Sequence, residues 1–231
     1  MTSVGLVGGL GPESTIDYYR RIIDGWQRQD PSTTPAMVID SLDPNRALAL
    51  VQSDVDAFFD YILGSVRRLA AAGVDFIAIT ANTPHLMYDE LAAVSSRPMI
   101  SIVEVCAEEA RRREIRRPLL LGTRFTMEAP FYPTVLARFN ITVVTPGEEE
   151  RVWVHARYVE ELLKGDFRDA TRDAFISLIE RLKEREGIDA VILGGTELPL
   201  LLEAAVVAGL PVLDTTELHV NAIVERLRRP S

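Results

Sequence analysis

The chain has 231 residues, 47% of them hydrophobic and 26% charged, a balance that suits one large α/β domain or two small lobes and excludes a disordered or fibrous chain. Its 34 acidic and 25 basic residues leave a formal charge of -9, which speaks against nucleic acid and anionic membrane as partners. A single cysteine, Cys106, excludes an intrachain disulfide and, with no leader pattern at the start, points to a reducing, cytoplasmic setting.

Short aliphatic or β-branched runs alternate with longer amphipathic ones, the pattern of a mostly parallel sheet with helices on both faces. In chain order, residues 4–7 predict a strand, 15–27 a helix and 36–39 a second strand. Residues 54–72 predict a helix, with Phe58, Phe59, Ile62 and Val66 on one face and Gly73 as its C-terminal cap. Strands follow at 76–80 and 99–102, then a helix at 103–113. Strands at 119–121 and 141–144 precede helices at 149–164 and 169–185, and strands at 190–193 and 212–213 precede a last helix at 217–228. The most apolar long stretch, residues 198–213, is interrupted by Glu203 and is shorter than the roughly 20 residues a membrane-spanning helix needs.

An internal repeat organises these elements. Gly73-Val74-Asp75 precedes the strand ending at Ala81-Asn82-Thr83, as Gly187-Ile188-Asp189 precedes the strand ending at Gly195-Thr196-Glu197. The offset of 114 residues also carries Gly8 onto Gly122, Gly9 onto Thr123 and Tyr18 onto Tyr132. Strand-to-turn junctions are glycine-rich in general, but several anchors at one spacing favour duplication. The chain thus reads as two pseudo-symmetric lobes, each with a roughly four-stranded sheet. Residues 1–98 and 212–231 are expected to form one lobe and 99–211 the other.

Ligands of open α/β sheets bind beyond the carboxyl ends of the strands, so two such halves are expected to hold one ligand between them. The residues placed there are Gly8, Gly9, Gly11 and Ser14, then Asn82 and Thr83, then Thr123 and Thr126, then Thr196. Hydroxyls, a carboxamide and free backbone N–H groups bind carboxylates without a metal. An anionic small molecule is the ligand this set suits. The competing reading makes each of these residues a helix N-cap, about even for one residue and poor for the whole set. A dinucleotide fingerprint at Gly9-Leu10-Gly11-Pro12, with Asp40 as the ribose acid, is disfavoured by Pro12, by the missing third glycine and by a spacing longer than about 20 residues.

Val7-Gly8-Gly9-Leu10-Gly11-Pro12-Glu13-Ser14-Thr15, Ala81-Asn82-Thr83-Pro84-His85, Leu121-Gly122-Thr123-Arg124-Phe125-Thr126, Leu193-Gly194-Gly195-Thr196-Glu197 and Asp214-Thr215-Thr216 with His219 together resemble the aspartate/glutamate racemase family. The resemblance runs from end to end. It implies an amino-acid racemase or isomerase without pyridoxal phosphate, metal or other cofactor, a small carboxylate or amino-acid ligand, and a homodimer. Family racemisation uses a proton carrier on each face of a carbon next to a carboxylate, normally two cysteines placed immediately before the Asn-Thr and Thr-Glu motifs. Here those positions hold Ala81 and Gly195, and neither side chain moves a proton. Their small size is expected to enlarge the space where the reacting carbon would sit.

Among the remaining candidates, Glu197 matches the family's acidic residue after the second motif and is the first choice as an ionisable group. His85 titrates in the useful range but often only caps or packs in such a place. His219 matches the family in a supporting role. Arg46 and Lys164 resemble residues that engage a distal substrate carboxylate, against the commoner fate of a solvated charge. Cys106 shares an apolar helical face with Val103, Ala107 and Ala110, which reads as core. Three functions stay open at this point: a racemase with substitute acid/base groups, a lyase or isomerase on another or larger carboxylate, and a carboxylate-binding protein without catalysis.

Overall fold

The computed structural model describes residues 2–202 and 205–229, so Glu203 lies outside the described residues. The chain divides into two compact units, one of residues up to Ile102 together with those from His219 onward, the other Val103–Leu218.

The first unit is built on a four-stranded sheet in the order β2-β1-β3-β4. Its strands are β1 (Ser3–Gly8), β2 (Ala36–Ser41), β3 (Phe76–Ile79) and β4 (Met99–Ile100), all paired in parallel. Helix α1 (Pro12–Gln27) starts from Gly11 with proline in its first turn, a position where the missing N–H costs nothing. It buries Tyr18, Ile22 and Trp26, spaced four apart on one face. That face packs with Val4, Leu6, Phe76 and Ala78 and with Val220, Ile223, Val224 and Leu227 of the last helix, α11 (Thr215–Arg228). Helices α2 (Pro44–Ser53) and α3 (Val55–Ala71) begin at Asp43 and Asp54, whose carboxylates accept the helices' free N–H groups. A 3-10 turn (Thr83–Met87) and helix α4 (Tyr88–Val94) follow β3.

The second unit repeats the plan with order β5-β6-β8-β7. Strands β5 (Pro118–Gly122), β6 (Ala190–Gly194) and β8 (Leu210–Asp214) are parallel, and β7 (Val206–Val207) lies antiparallel at the edge. Helices α5 (Ile102–Arg112), α6 (Arg124–Glu128), α7 (Phe131–Ala137), α8 (Glu148–Glu160), α9 (Asp169–Glu186) and α10 (Leu198–Leu202) complete it, with a 3-10 turn at Leu162–Lys164. The strand expected at 141–144 reduces to one parallel bridge between Val144 and Leu119, beside β5 as β2 is beside β1. Strand pairing also moves two segments between the units. Met99–Ile100 joins β3, and Val212–Leu213 pairs with β6, the reverse of the expected assignment, because each short strand completes the sheet whose central strand precedes it.

The repeated Gly-x-Asp triplets do the same work in both units. Gly73 and Gly187 have positive φ, +85° and +63°, and end α3 and α9. Val74 and Ile188 are buried. Asp75 accepts the Ser3 N–H at 2.7 Å, and Asp189 accepts the N–H groups of Arg116 and Arg117 at 2.6 and 2.9 Å. Each aspartate thus fastens the start of one central strand to the lead-in of its neighbour.

Candidate active site

In the first unit the ends of β1 and β3 are adjacent, since Val7 pairs with Ile79 and the Thr80 N–H donates to the Val7 carbonyl at 3.0 Å. Gly9 sits at φ +80°, and a Cβ there would meet the backbone O and N of Leu42. Only glycine lets the chain turn this close to the next loop. The Gly9 N–H donates to Thr15 Oγ1 at 2.9 Å, and Ser14 Oγ donates to the Thr80 carbonyl at 3.4 Å. Ala81, Asn82 and Thr83 follow β3, with Asn82 buried and Thr83 partly buried. Arg46, in the first turn of α2, is exposed and lies over the Tyr61 ring at 4.7 Å.

His85 is buried, and both ring nitrogens face backbone. The Ile102 N–H donates to Nε2 at 3.2 Å, so Nε2 carries no proton and Nδ1–H donates to the Ala81 carbonyl at 3.0 Å. Burial, with the neighbouring His219, lowers its pKa to about 3. His219 is held by the same logic: Nε2–H faces the Ile100 carbonyl at 3.2 Å, leaving Nδ1 to accept the Tyr18 hydroxyl at 3.0 Å. Burial lowers this pKa to about 4. Both rings are neutral braces for the Ile100–Ile102 segment, and His85 has no nitrogen left to offer a ligand.

In the second unit Gly122 pairs with Gly194, bringing Thr123 beside Gly195. A Cβ on Gly122 would stand 2.5 Å from the Gly194 carbonyl oxygen, so the glycine permits this approach. Thr123 caps α6 by accepting the Thr126 N–H at 3.3 Å, and the two hydroxyls are 3.2 Å apart. Here the capping and the strand-end readings coincide. Lys164 is exposed at the end of its 3-10 turn. Asp40 is bound to Arg68 at 2.7 Å. Cys106 is completely buried, and burial raises its thiol pKa.

A buried polar cluster at the end of β6 includes a residue that sequence reasoning did not single out. Tyr158, on α8, is 3% exposed and packs within the second core. Its hydroxyl donates to Glu197 Oε2 in a very short hydrogen bond, and the same oxygen accepts Thr196 Oγ1 at 3.3 Å. The Glu197 N–H points at the phenol oxygen at 3.5 Å. Burial first, then the Glu197 charge, pushes the Tyr158 pKa well up. A Cβ on Gly195 would lie 2.6 Å from the Tyr158 hydroxyl oxygen and 2.8 Å from Cζ. The expected enlargement at position 195 therefore does not occur: the tyrosine fills the space. Tyr158 reads in sequence as one more apolar-face residue of a helix, beside Val154. The available signal was Gly195 itself, because a deleted side chain in a packed interior is replaced by another.

A sequence model of the Asp/Glu/Hydantoin racemase family matches residues 7–223. The chain belongs to this family. It is 26% identical over 219 residues, 92% of each chain, to a broad specificity amino-acid racemase of Bacillus subtilis (strain 168). Among solved structures it resembles an aspartate racemase homologue from Pyrococcus horikoshii OT3, with 33% identity, TM-score 0.83 and coverage of 99% of this chain and 100% of that one. A putative Asp/Glu racemase from Yersinia pestis gives 31% identity, TM-score 0.87 and the same coverages. Asn82 and Thr83 follow β3, Thr123 follows β5 and Thr196 follows β6, and positions 81 and 195 carry no titratable side chain. Among the described residues no helix is long and apolar enough to cross a membrane.

Proposed function

We infer that this chain binds a small amino acid or related carboxylate at its strand ends and does not run two-sided racemisation through positions 81 and 195. The supporting observation is that the polar strand-end set, Asn82 and Thr83 in one unit and Thr123, Thr126 and Thr196 in the other, accompanies two positions unable to move a proton. Abstraction at one face of a carbon and delivery at the other requires two carriers. Alanine and glycine supply neither. Glu197 is the remaining ionisable group at the end of β6, while His85 is spent on backbone.

Arg46 and Lys164, both exposed, are the cations assigned to a distal carboxylate in this reading. Membership of the racemase family supports an amino-acid ligand, and the reading extends to a cytoplasmic homodimer acting without pyridoxal phosphate or metal. Titration calorimetry with both enantiomers of aspartate and glutamate, followed by chiral analysis after long incubation, tests it. Binding of at least one of these without racemisation is expected. Rapid racemisation of either, lost on a single strand-end substitution, would overturn it.

A further inference from the structure

We propose that Tyr158 and Glu197 form a proton-exchanging pair at the end of β6 that serves a bound amino acid from one face, and that residue 195 is glycine so that the phenol can occupy this place. The proposal rests on the reading above, in which the ligand lies at that strand end.

The first argument is steric. With the phenol oxygen 2.6 Å and Cζ 2.8 Å from the Cβ position of residue 195, a side chain there and the tyrosine ring exclude each other. The second is connectivity. Tyr158 donates to Glu197 Oε2, which also receives Thr196 Oγ1. The carboxylate is held by two hydroxyl donors, and the phenol oxygen, one of whose acceptor positions faces the Glu197 N–H at 3.5 Å, has a second for a proton arriving from elsewhere. The third is placement. Residues 195–197 directly follow β6, the central strand position whose carboxyl end serves ligands in such sheets.

The exchange balances without any co-reactant. The ligand's Cα–H bond breaks and its electron pair stays on the ligand, delocalised into the adjacent carboxylate. The proton forms an O–H bond to Tyr158 while the phenol's own proton passes to Glu197 Oε2. The reverse sequence returns a proton to the carbon. One pair both takes and returns the proton, so the proton returns from the side it left. Deuterium from solvent then enters the ligand with its configuration retained, which separates this chemistry from racemisation.

The test uses the intact protein in deuterated water with the nineteen chiral common L-amino acids, each followed by proton NMR for loss of the α-hydrogen and by chiral chromatography, with calorimetry reporting binding. At least one amino acid that binds is expected to exchange its α-hydrogen with retained configuration. Tyr158→Phe, which keeps the ring, and Glu197→Gln are expected to slow exchange by about 100-fold or more while affinity changes only slightly. Glu197→Asp, which keeps the carboxylate, should recover part of the rate that Glu197→Gln loses, a signature that mere packing would not produce. Binding without exchange, exchange that survives in Tyr158→Phe, or inverted product would overturn the proposal and leave the binding reading intact. Failure of all of these to bind, and of both enantiomers of aspartate and glutamate, would overturn that reading, and the proposal with it.

Discussion

Tyr158 and Gly195 compete for one volume: the phenol oxygen lies 2.6 Å from where a Cβ at 195 would be. Restoring a thiol by Gly195→Cys alone is therefore expected to destabilise the fold by about 1–3 kcal/mol, the usual cost of overpacking. In a Tyr158→Ala background the same change should cost far less, giving a coupling of roughly 0.5–3 kcal/mol. Urea denaturation of the four proteins in the cycle measures it, and additive effects would show that the ring moves aside freely.

Gly9 is the backbone counterpart of that crowding. Its φ of +80° and the closeness of the Leu42 backbone leave no room for a methyl group, so Gly9→Ala should cost at least about 1–3 kcal/mol. Because the Gly9 N–H binds Thr15, the first turn of α1 should loosen with it. Amide exchange at residues 13–16 reads this directly, and unchanged protection would contradict it.

The two buried histidines predict acid sensitivity. Their folded pKa values are lowered to about 3 for His85 and about 4 for His219, below the value of about 6.5 of an unfolded chain. Between these limits the unfolded state binds more protons, so stability is complete above about pH 6.5 and falls as the pH drops towards the folded values. Each ring should remove up to about 1.4 kcal/mol per pH unit. Denaturation midpoints at pH 7.5, 6.5 and 5.5 check the slope before carboxylates titrate. A flat profile there would mean that water reaches both rings.

Removing a strand-end hydroxyl should weaken ligand binding. Thr83→Ala is expected to cost about 1–3 kcal/mol of affinity for whichever carboxylate binds, whereas Thr196→Ala, whose hydroxyl donates to Glu197, should cost less. Thr123→Ala differs, since this side chain also caps α6 and should lose about 1 kcal/mol of stability as well. Calorimetry paired with melting curves separates the two effects, and unchanged affinity in Thr83→Ala would move the ligand elsewhere.

Alternation of short apolar runs with amphipathic segments made the sheets and long helices legible, since both arise from burial of periodic faces. The repeat was legible because its triplets have local jobs, a left-handed turn at glycine and an aspartate taking up strand N–H groups. Short elements were not legible. Helix α2 is fixed by Asp43 and the proline after it, and the 141–144 segment makes only one bridge where a run of apolar residues suggested a strand. At the site, motif spacing located the strand-end residues, but the partner of Glu197 comes from α8, 39 positions earlier in the chain. No local pattern encodes such a meeting. His85 illustrates the converse, because its residue type suggested chemistry that its two backbone bonds remove.

Cys106 is fully buried on α5, with its thiol held in the unreactive protonated form. Alkylating reagents should therefore pass over the wild-type chain, which makes it a ready host for site-directed labelling. A cysteine installed by Ala81→Cys, at the partly buried end of β3, would carry a fluorophore or spin label without removal of any native residue. The label then reports on the segment that follows β3 against a silent background.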